Sequence, residues 1–347
     1  MSTHVTRRHA IAGLGAAGAL AALPRPARAD LAAIEDAARK EGGLTWYTAH
    51  TDGETAEAFG RGFSARYPGL KVTVIRTTAQ VAYERLLQDL KNGSPQCDVF
   101  SSTDIGHYVA LKPKGVFAKY VPEAAAKVSP EFQGLDPDGY FYPTSAGLVL
   151  ITYNAKLVKP EDAPKNWPDL LDPKWKNKVS VGHPAFSGYV GTWVAAMRKL
   201  YGWEFFEKLE KNKPQIGRSV NDTVTMLNSG ERSVAAGPSG TTLLSMDKGN
   251  PLGLIYPTDG AVLIVSPSAV MAKAKSPNAA RLFMDFLLSE EAARISVKMR
   301  GESLRPEVKP LTGAKPFTEV KLIRLTVSDI EKGIPEVIEQ WRDTFGS

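Results

Sequence analysis

The sequence predicts an α/β protein with two lobes, joined by a two-strand hinge and separated by a ligand cleft. With 347 residues, the chain is too long for one ordinary hydrophobic core. Short β-rich runs alternate with segments of helical periodicity, and two long apolar strands near residues 146–153 and 261–265 bracket the middle of the chain. Two such strands predict a second lobe inserted into the first, and clefts between α/β lobes commonly bind ligands.

The N-terminal residues 1–29 are predicted to form a cleaved export signal. Arg7-Arg8 precedes an apolar run at 11–23, which is shorter than the roughly 20 residues that a membrane span needs. Residues 27–29 read Ala-Arg-Ala, the small-residue form of a cleavage site. Because paired arginines favour the twin-arginine route, we expect a periplasmic protein exported by that route and cleaved near Ala29.

The export signal also explains most of the positive charge. The full chain has 43 Lys and Arg residues against 37 Asp and Glu, a net charge of +6. Without the four arginines of residues 1–29, 39 basic residues remain beside the same 37 acidic ones. No basic stripe or binding motif accompanies them, so we expect no nucleic-acid partner. The G-x-G-x-x-G motif at Gly13, Gly15 and Gly18 lies inside the signal and predicts no dinucleotide cofactor.

Strand–helix–strand units begin after the signal. Apolar and β-branched runs predict strands at 44–48, 70–75 and 98–101. Between the first two, apolar residues at helical spacing follow Thr51 and Glu54, which have the S/T-x-x-E form of a capping box. A second helix ends before Asn92-Gly93. Helices of this length between strands predict a mainly parallel sheet.

The same alternation continues to the C-terminus. Further strands are predicted at 146–153, 179–182, 233–236, 252–256 and 261–265. Helices are predicted at 187–201 and 220–227, after Ser276-Pro277, and at the C-terminus, where apolar residues from Ile330 to Trp341 recur on one face. We assign residues 30–146 and 262–308 to the first lobe, 147–261 to the second lobe, and 309–347 to a C-terminal helical segment.

Residues with catalytic or metal-binding chemistry are few. Cys97, the only cysteine, has no disulfide partner and is predicted to be a small strand residue. Beyond the signal the chain has His50, His107 and His183, none of them spaced as a metal-binding pair. No local motif supports an acyl-transfer triad. We therefore predict a binding protein without catalytic residues, metal or cofactor, rather than an enzyme.

Five polar turns with small residues come just before predicted helices, and they are the main evidence for a ligand-binding site. They lie at 48–53, 101–104, 187–188, 219–223 and 239–242. A helix N-terminus offers free N–H groups and a partial positive charge, so several of them around one cleft form an anion site. Ordinary N-capping uses the same residue types at any single turn. Five such turns at the carboxyl ends of strands nevertheless favour a shared cleft.

Several segments carry a resemblance to a known family. They are Trp46-Tyr47-Thr48, Cys97-Asp98-Val99-Phe100, Ile151-Thr152-Tyr153-Asn154, the run from Trp167-Pro168-Asp169 to Lys174-Trp175, and the turn from Pro184 to Ser187-Gly188. Over residues 41–310 the chain resembles the bacterial extracellular solute-binding proteins, family 1, of the ferric-ion and phosphonate type. The resemblance implies the type II periplasmic binding fold, closure on a ligand, and ABC permease and ATPase subunits at the inner membrane as partners. We expect a monomer.

The iron ligands of that group are missing from this chain. Ferric members use two adjacent tyrosines in a turn of the second lobe, where this chain has Gly237-Pro238-Ser239-Gly240. Losing both phenolates removes the strongest ligands for a hard ferric ion. The resemblance then implies an anion site, because Ser187-Gly188 falls where ferric relatives hold an anion and Asn221 falls near a second anion contact. We therefore predict a small organic or phosphorylated anion as ligand.

The predicted ligand contacts come from both lobes. The anionic head group is assigned to Ser187, Gly188, Asn221, Ser239 and Thr241. The rest of the ligand is assigned to Thr48, His50, Thr51, Ser102 and Thr103. Tyr47 or Tyr189 is a candidate to stack on it, and Arg76 and Arg305 are candidate charge partners.

Three other functions stay open at this point. A ferric-ion carrier of an iron ABC transporter would use His50 and Asp104 with water or a bound anion. A secreted hydrolase would turn over an ester or phosphoester. A ligand-sensing subunit of a signalling system would present its ligand to a membrane receptor.

Overall fold

The computed structural model describes residues 31–347, which form an α/β fold. The strands are β1 (Gly43–Thr48), β2 (Lys71–Arg76), β3 (Val99–Ser101), β4 (Tyr142–Asn154), β5 (Val179–Gly182), β6 (Gln215–Gly217), β7 (Val234–Pro238), β8 (Leu252–Ile255), β9 (Ala261–Val270) and β10 (Leu322–Ile323). The helices are α1 (Leu31–Glu41), α2 (Gly53–Arg66), α3 (Ala79–Lys91), α4 (Ile105–Leu111), α5 (Gly188–Tyr201), α6 (Glu204–Lys211), α7 (Val220–Asn228), α8 (Ser239–Asp247), α9 (Pro277–Leu287), α10 (Glu290–Lys298) and α11 (Val327–Phe345). The predicted export signal, 1–29, lies outside the described residues.

One sheet runs through the molecule in the order β2-β1-β3-β9-β4-β7-β5-β6, with β8 on β4 and β10 on β9. The pairs β1–β2, β1–β3, β5–β6 and β5–β7 are parallel. The two central strands pair antiparallel with each other, while β9 also pairs with β3 and β4 also pairs with β7. We call the half built on β1–β3 the first lobe and the half built on β5–β7 the second lobe. The predicted α/β class with a two-strand hinge is confirmed.

Aromatic clusters fill both lobes. In the first lobe, Phe63 of α2 packs edge-on against Phe283 and Phe286 of α9. In the second lobe, Trp193 of α5 packs edge-on against Phe206 of α6. Buried aromatic side chains contribute large apolar areas, and these edge-to-face pairs are the geometry that aromatic quadrupoles favour. Each half therefore has its own core, as the predicted two-lobe organisation requires.

The C-terminal helix α11 contacts both lobes. Its residues Ile330 and Ile334 pack with Ile105 of α4 in the first lobe. One turn further on, Val337 and Trp341 join the core of the second lobe. The segment 309–347, which the sequence predicts to be helical, also contains β10, paired with the first residues of β9. Among residues 31–347, no helix has the length and apolar character of a membrane span.

Two local predictions were wrong. The N-cap of α2 is Asp52 rather than Thr51, because the Asp52 carboxylate accepts the backbone N–H of Thr55 at 2.9 Å. The capping box predicted from Thr51 and Glu54 is therefore absent at this helix. Cys97 is buried, and it lies in the coil before β3 rather than in the predicted strand. Burial holds the pKa of its thiol well above the usual value.

Candidate functional site

A cavity of about 80 Å³ lies between the lobes, beside the hinge strand β4. Its first-lobe wall contains Ala49, His50, Thr51, Asp52, Thr55, Arg76, Thr78, Ala79, Thr103, Ser296, Met299, Gly301 and Glu302. Its second-lobe wall contains Ser187, Tyr189, Ser219, Val220, Asn221, Pro238, Gly240 and Thr241, and β4 adds Ser145 and Ala146. Helix N-termini from both lobes thus line one cavity.

The lobes are closed over this cavity. Lys248 Nζ lies 2.6 Å from Glu54 Oε2, which joins the end of α8 in the second lobe to the start of α2 in the first. The backbone N–H of Gln80 in α3 donates to the carbonyl of Phe186 at 3.4 Å. Both contacts link residues of different lobes, so the structure is a closed form.

Six of the ten predicted contact residues line the cavity. They are His50, Thr51, Thr103, Ser187, Asn221 and Thr241. The Thr241 hydroxyl donates to Asn221 Oδ1 at 3.1 Å, which ties the start of α8 to the start of α7. Ser187 is the N-cap of α5, where its side chain accepts the backbone N–H of Val190. The predicted turns therefore converge from both lobes.

Two first-lobe residues, Thr48 and Ser102, lie behind the wall rather than on it. Thr48 is buried, and its Oγ1 accepts the backbone N–H of His50 at 3.3 Å. Ser102 is also buried, with its Oγ 2.9 Å from His107 Nδ1 and accepting the backbone N–H of Asp104 at 3.1 Å. Both hydroxyl groups thus stabilise the turns that carry wall residues, which is why the structure does not bring them to the cavity.

Gly188 and Ser239 are also absent from the wall, for a different reason: both contact the opposite lobe. A Cβ added to Gly188 would lie 2.5 Å from the carbonyl oxygen of Thr103, so α5 begins directly against the first lobe. The Ser239 hydroxyl donates to the Glu302 carboxylate and accepts the backbone N–H of Leu148 at 3.3 Å. These two positions therefore hold the lobes together and do not line the cavity.

His50 is held in the neutral form. Its Nε2 lies 2.8 Å from the carbonyl oxygen of Pro267, so this nitrogen carries the proton and donates it. Burial lowers the pKa of His50 to about 4, and the backbone carbonyl contact only partly offsets that effect. The side chain therefore links the turn after β1 to the hinge strand β9 without adding charge.

Arg76 supplies a cation to the wall. It is the last residue of β2, and its Nε donates to the carbonyl of Thr51 at 2.8 Å. Within residues 31–347, no hydrogen-bond or ion-pair partner meets its two terminal nitrogens. Burial lowers its pKa, an effect that the carboxylates of Asp52 and Asp222 oppose, and a guanidinium stays charged at neutral pH.

The other suggested cation, Arg305, is not in the cavity. Its Nε donates to Glu307 at 2.9 Å, and one terminal nitrogen donates to the carbonyl of Leu288 at 3.0 Å. Tyr47 is likewise excluded from the wall, because it is buried in the first-lobe core with its hydroxyl 2.8 Å from Asp89. Tyr189, in contrast, lines the cavity.

Sequence reasoning missed the start of α3 and the acid Glu302. Thr78 is the N-cap residue of α3, and its buried Oγ1 has no hydrogen-bond partner among the described residues. A Thr-Thr pair before the helical pattern was the available signal for this turn. Glu302 follows α10, and burial raises the pKa of its carboxyl to about 7 against the lowering effect of the Ser239 hydroxyl.

Metal-binding side chains do not gather in the described part of the chain. Among residues 31–347, no three His, Cys, Asp or Glu side chains lie together in an arrangement that could hold a metal ion. Asp104, named above for a ferric site, caps α4, where its Oδ1 accepts the backbone N–H of Gly106 at 2.8 Å. The Nε2 of His50 is already bonded to Pro267.

The fold and the cleft define a class of protein: a two-lobed binding protein that encloses a small ligand between lobes joined by a hinge. A family model described as bacterial extracellular solute-binding protein matches residues 94–314, and the chain belongs to this family.

Relatives and solved structures agree with this class. A protein of Salmonella paratyphi A named putative 2-aminoethylphosphonate-binding periplasmic protein is 25% identical over 284 residues, covering 78% of this chain and 77% of that protein. The periplasmic binding protein AfuA of Actinobacillus pleuropneumoniae, solved with fructose-6-phosphate, superposes with a TM-score of 0.79 at 22% identity, covering 88% of this chain and 99% of that one. Iron-bound HitA of Pseudomonas aeruginosa has a TM-score of 0.74 at 25% identity, with 87% and 99% covered. The type II periplasmic binding fold is thereby confirmed.

Proposed function

We propose that the protein captures a small organic or phosphorylated anion in the periplasm, closes its lobes on it, and delivers it to the permease and ATPase subunits of an ABC importer. The main evidence for an anionic ligand is the position of Arg76. Its guanidinium lines the closed cavity with two terminal nitrogens that have no partner among residues 31–347. A planar guanidinium matches the paired oxygens of a phosphonate, phosphate or carboxylate group.

Helix N-termini add donors around that cation. The N-terminal residues of α3 and α7 line the same cavity as Arg76, and the buried Thr78 hydroxyl there lacks a partner among the described residues. Free N–H groups and the partial positive charge of a helix start favour a bound anion. The charge of Arg76 and the helix ends would therefore act together on one head group.

The ligand contacts that we propose are the wall residues His50, Thr51, Thr103, Ser187, Asn221 and Thr241, together with Arg76. Closure then follows from contacts to both lobes, since a ligand shifts the hinge equilibrium by the difference in its affinity for the two states. The name of the Salmonella relative, which specifies a phosphonate, supports the anion class.

Several further properties belong to the same proposal. Export is directed by residues 1–29, by the twin-arginine route, with cleavage near Ala29. The lobes divide at 146/147 and 261/262, and the protein works as a monomer. It binds and releases its ligand unchanged, so it is not an enzyme.

A matched pair of arginine variants tests the anion site. Arg76→Gln should weaken binding of the anion that gives the largest thermal shift by roughly 10- to 100-fold, the range of a lost charge-assisted hydrogen bond. Arg294→Gln is the control, because Arg294 is exposed and pairs with Glu290 on the same helix. The ligand panel would contain phosphonates, sugar phosphates, carboxylates and ferric salts, read by thermal shift and then calorimetry.

The outcomes separate the candidates. Stabilisation by anions that Arg76→Gln abolishes and Arg294→Gln keeps supports the proposal. Stabilisation by ferric salts alone, with a visible phenolate-to-iron charge-transfer band, would instead favour an iron carrier. Stabilisation only by cationic or neutral solutes would overturn the anion site.

A further inference from the structure

We propose that Glu302 and Tyr189 form a second subsite in the cleft that recognises an ammonium group, so that the ligand is a zwitterion: a short anion that carries an amine. The inference rests on the proposed function, because it takes the anionic end of the ligand to be bound beside Arg76.

The two side chains meet above a glycine of the hinge. Glu302 belongs to the first lobe, yet one of its carboxylate oxygens accepts the hydroxyl of Ser239 from the second lobe. A Cβ built on Gly147 would lie 3.5 Å from the other oxygen, Oε2, and 1.7 Å from the hydroxyl oxygen of Tyr189. Any side chain at position 147 would displace the tyrosine. The glycine at position 147 of β4 therefore leaves room for Glu302 Oε2 and the Tyr189 hydroxyl oxygen to lie near each other at the cavity wall.

Among the described residues, the Glu302 carboxylate accepts only neutral donors, namely the Ser239 hydroxyl and the backbone N–H groups of Glu302 and Leu148. Within residues 31–347, no group is hydrogen-bonded to the Tyr189 hydroxyl, and no Lys, Arg or His forms an ion pair with Glu302. An ionised carboxylate only accepts hydrogen bonds, and a phenol oxygen accepts as well as donates. An ammonium group has three donors and no acceptor, so it satisfies this pair, whereas a second anionic group would be repelled.

The electrostatic environment favours the same ligand group. Burial raises the pKa of Glu302 to about 7 and holds the pKa of Tyr189 well above its usual range, with the Glu302 carboxylate adding to the effect on the tyrosine. A buried charge without a countercharge is costly even when neutral groups donate hydrogen bonds to it. A ligand ammonium would supply that partner, and the protein would accept it only in the closed form, where Ser239 and Tyr189 surround the acid.

The donor and acceptor groups occupy different parts of one small cavity. Arg76 lies close enough to Asp52 and Asp222, at the starts of α2 and α7, for both carboxylates to raise its pKa. Glu302 faces Ser239 and Tyr189, near the start of α8 and the hinge. The volume of about 80 Å³ is far below the ~300–1,000 Å³ of pockets that hold drug-sized ligands. A ligand that spans both parts is therefore short, with an anion and an amine separated by a few carbon atoms.

The test compares two phosphonates that differ only in charge at one end. 2-Aminoethylphosphonate and n-propylphosphonate have nearly the same shape, because a methyl group replaces the ammonium. Titration calorimetry on the purified full chain at neutral pH would give the ratio of their affinities. We expect the aminated phosphonate to bind at least 10-fold more tightly. Glu302→Gln should bring the ratio to within about 3-fold, and Tyr189→Phe should lower it by a smaller factor.

Each outcome of this experiment decides something. A thermal unfolding scan identifies any variant that fails to fold, in which case the wild-type ratio and Tyr189→Phe carry the test. Equal affinity for both phosphonates, or a preference that persists in Glu302→Gln, would overturn the ammonium subsite and leave the anion proposal standing. Binding of glucose-6-phosphate without binding of either phosphonate would have the same meaning. If no anion binds at all, both proposals fail.

Discussion

His50 Nε2 lies 2.8 Å from the carbonyl oxygen of Pro267, and this hydrogen bond connects a turn of the cavity wall to the hinge strand β9. The same carbonyl also accepts the hydroxyl of Tyr108 from α4. One backbone oxygen of the hinge therefore accepts donors from two separate elements of the first lobe. These hydrogen bonds therefore hold the wall turn and α4 against the hinge strand.

The first prediction concerns this histidine and pH. The pKa of His50 is about 4 in the folded protein, below the usual 6.5, so the folded state favours the neutral ring. Stability from this group is present above pH 6.5 and is lost as pH falls toward 4, by at most about 3 kcal/mol. His50→Gln should flatten the fall in unfolding free energy between pH 6.5 and 4.5, measured by urea denaturation. Parallel curves for both proteins would contradict it.

The second prediction uses the close approach of α5 to the first lobe. In Gly188→Ala the new Cβ would lie 2.5 Å from the Thr103 carbonyl oxygen of the opposite lobe. This clash arises only when the lobes are closed. Overpacking of this kind costs about 1–3 kcal/mol, so the open form should gain population while each lobe stays folded. Gly60→Ala is the control, since its Cβ would make only ordinary contacts with Val72 and Val74.

Fluorescence energy transfer can report that change. Leu87 on α3 and Leu200 on α5 are exposed, lie in different lobes, and can be replaced by labelled cysteines because Cys97 is buried. Gly188→Ala should lengthen the mean distance between the labels, and Gly60→Ala should leave it as in the parent. An unchanged distance in Gly188→Ala, with an unchanged melting temperature, would refute the steric argument.

The third prediction compares the exposed ion pair between the lobes with the packed contact at Gly188. Lys248 and Glu54 are 2.6 Å apart but about half exposed, and such pairs contribute little and are screened by salt. Lys248→Gln should lengthen the mean distance between the labels less than Gly188→Ala does. In roughly 1 M salt, Lys248→Gln and the parent protein should show the same distance. Lys208→Gln, which breaks a pair within α6, is the control. A larger and salt-independent shift would contradict this.

The fourth prediction concerns the helix that contacts both lobes. Ile334 packs against Ile105 of α4, and it is also the side chain that a Cβ on Gly191 of α5 would meet at 3.0 Å. Ile334→Ala should lower the unfolding free energy by about 2–5 kcal/mol, as buried Ile truncations do. Ile338→Ala on the same helix is only half-buried and should cost less. Equal losses in thermal or urea unfolding would show that Ile334 has no special position.

Much of the fold was predictable because apolar periodicity is a local property. The α5 helix begins and ends within a residue of its predicted bounds, since Ser187 caps it and its apolar residues recur regularly. The hinge strands were predicted too short. They extend to Tyr142 and Val270 because they pair with each other along their length, while β9 also pairs with β3 of the first lobe and β4 with β7 of the second. Pairing between segments so distant in sequence is not visible in a local pattern.

The candidate site was predictable only in part, again for a physical reason. The turns were found from their residue types, but which side chain of a turn faces the cavity depends on the fold, so Thr48 and Ser102 lie behind the wall. Glu302 follows α10 in a segment that has no periodic pattern or motif, so the sequence does not mark it as a site residue. Its environment arises only when Ser239 and Gly147, distant in sequence, reach it.

The packing of α11 against both lobes also bears on the order of assembly. This helix follows every strand of both lobes in the sequence, and its apolar face contacts Ile105 on one side and the Trp341 cluster on the other. During synthesis the strands of both lobes therefore precede α11, so this helix can dock only on lobes whose strands already exist. A chain cut before Val327 would keep those strands but lose the one apolar face of α11 that packs against both lobes.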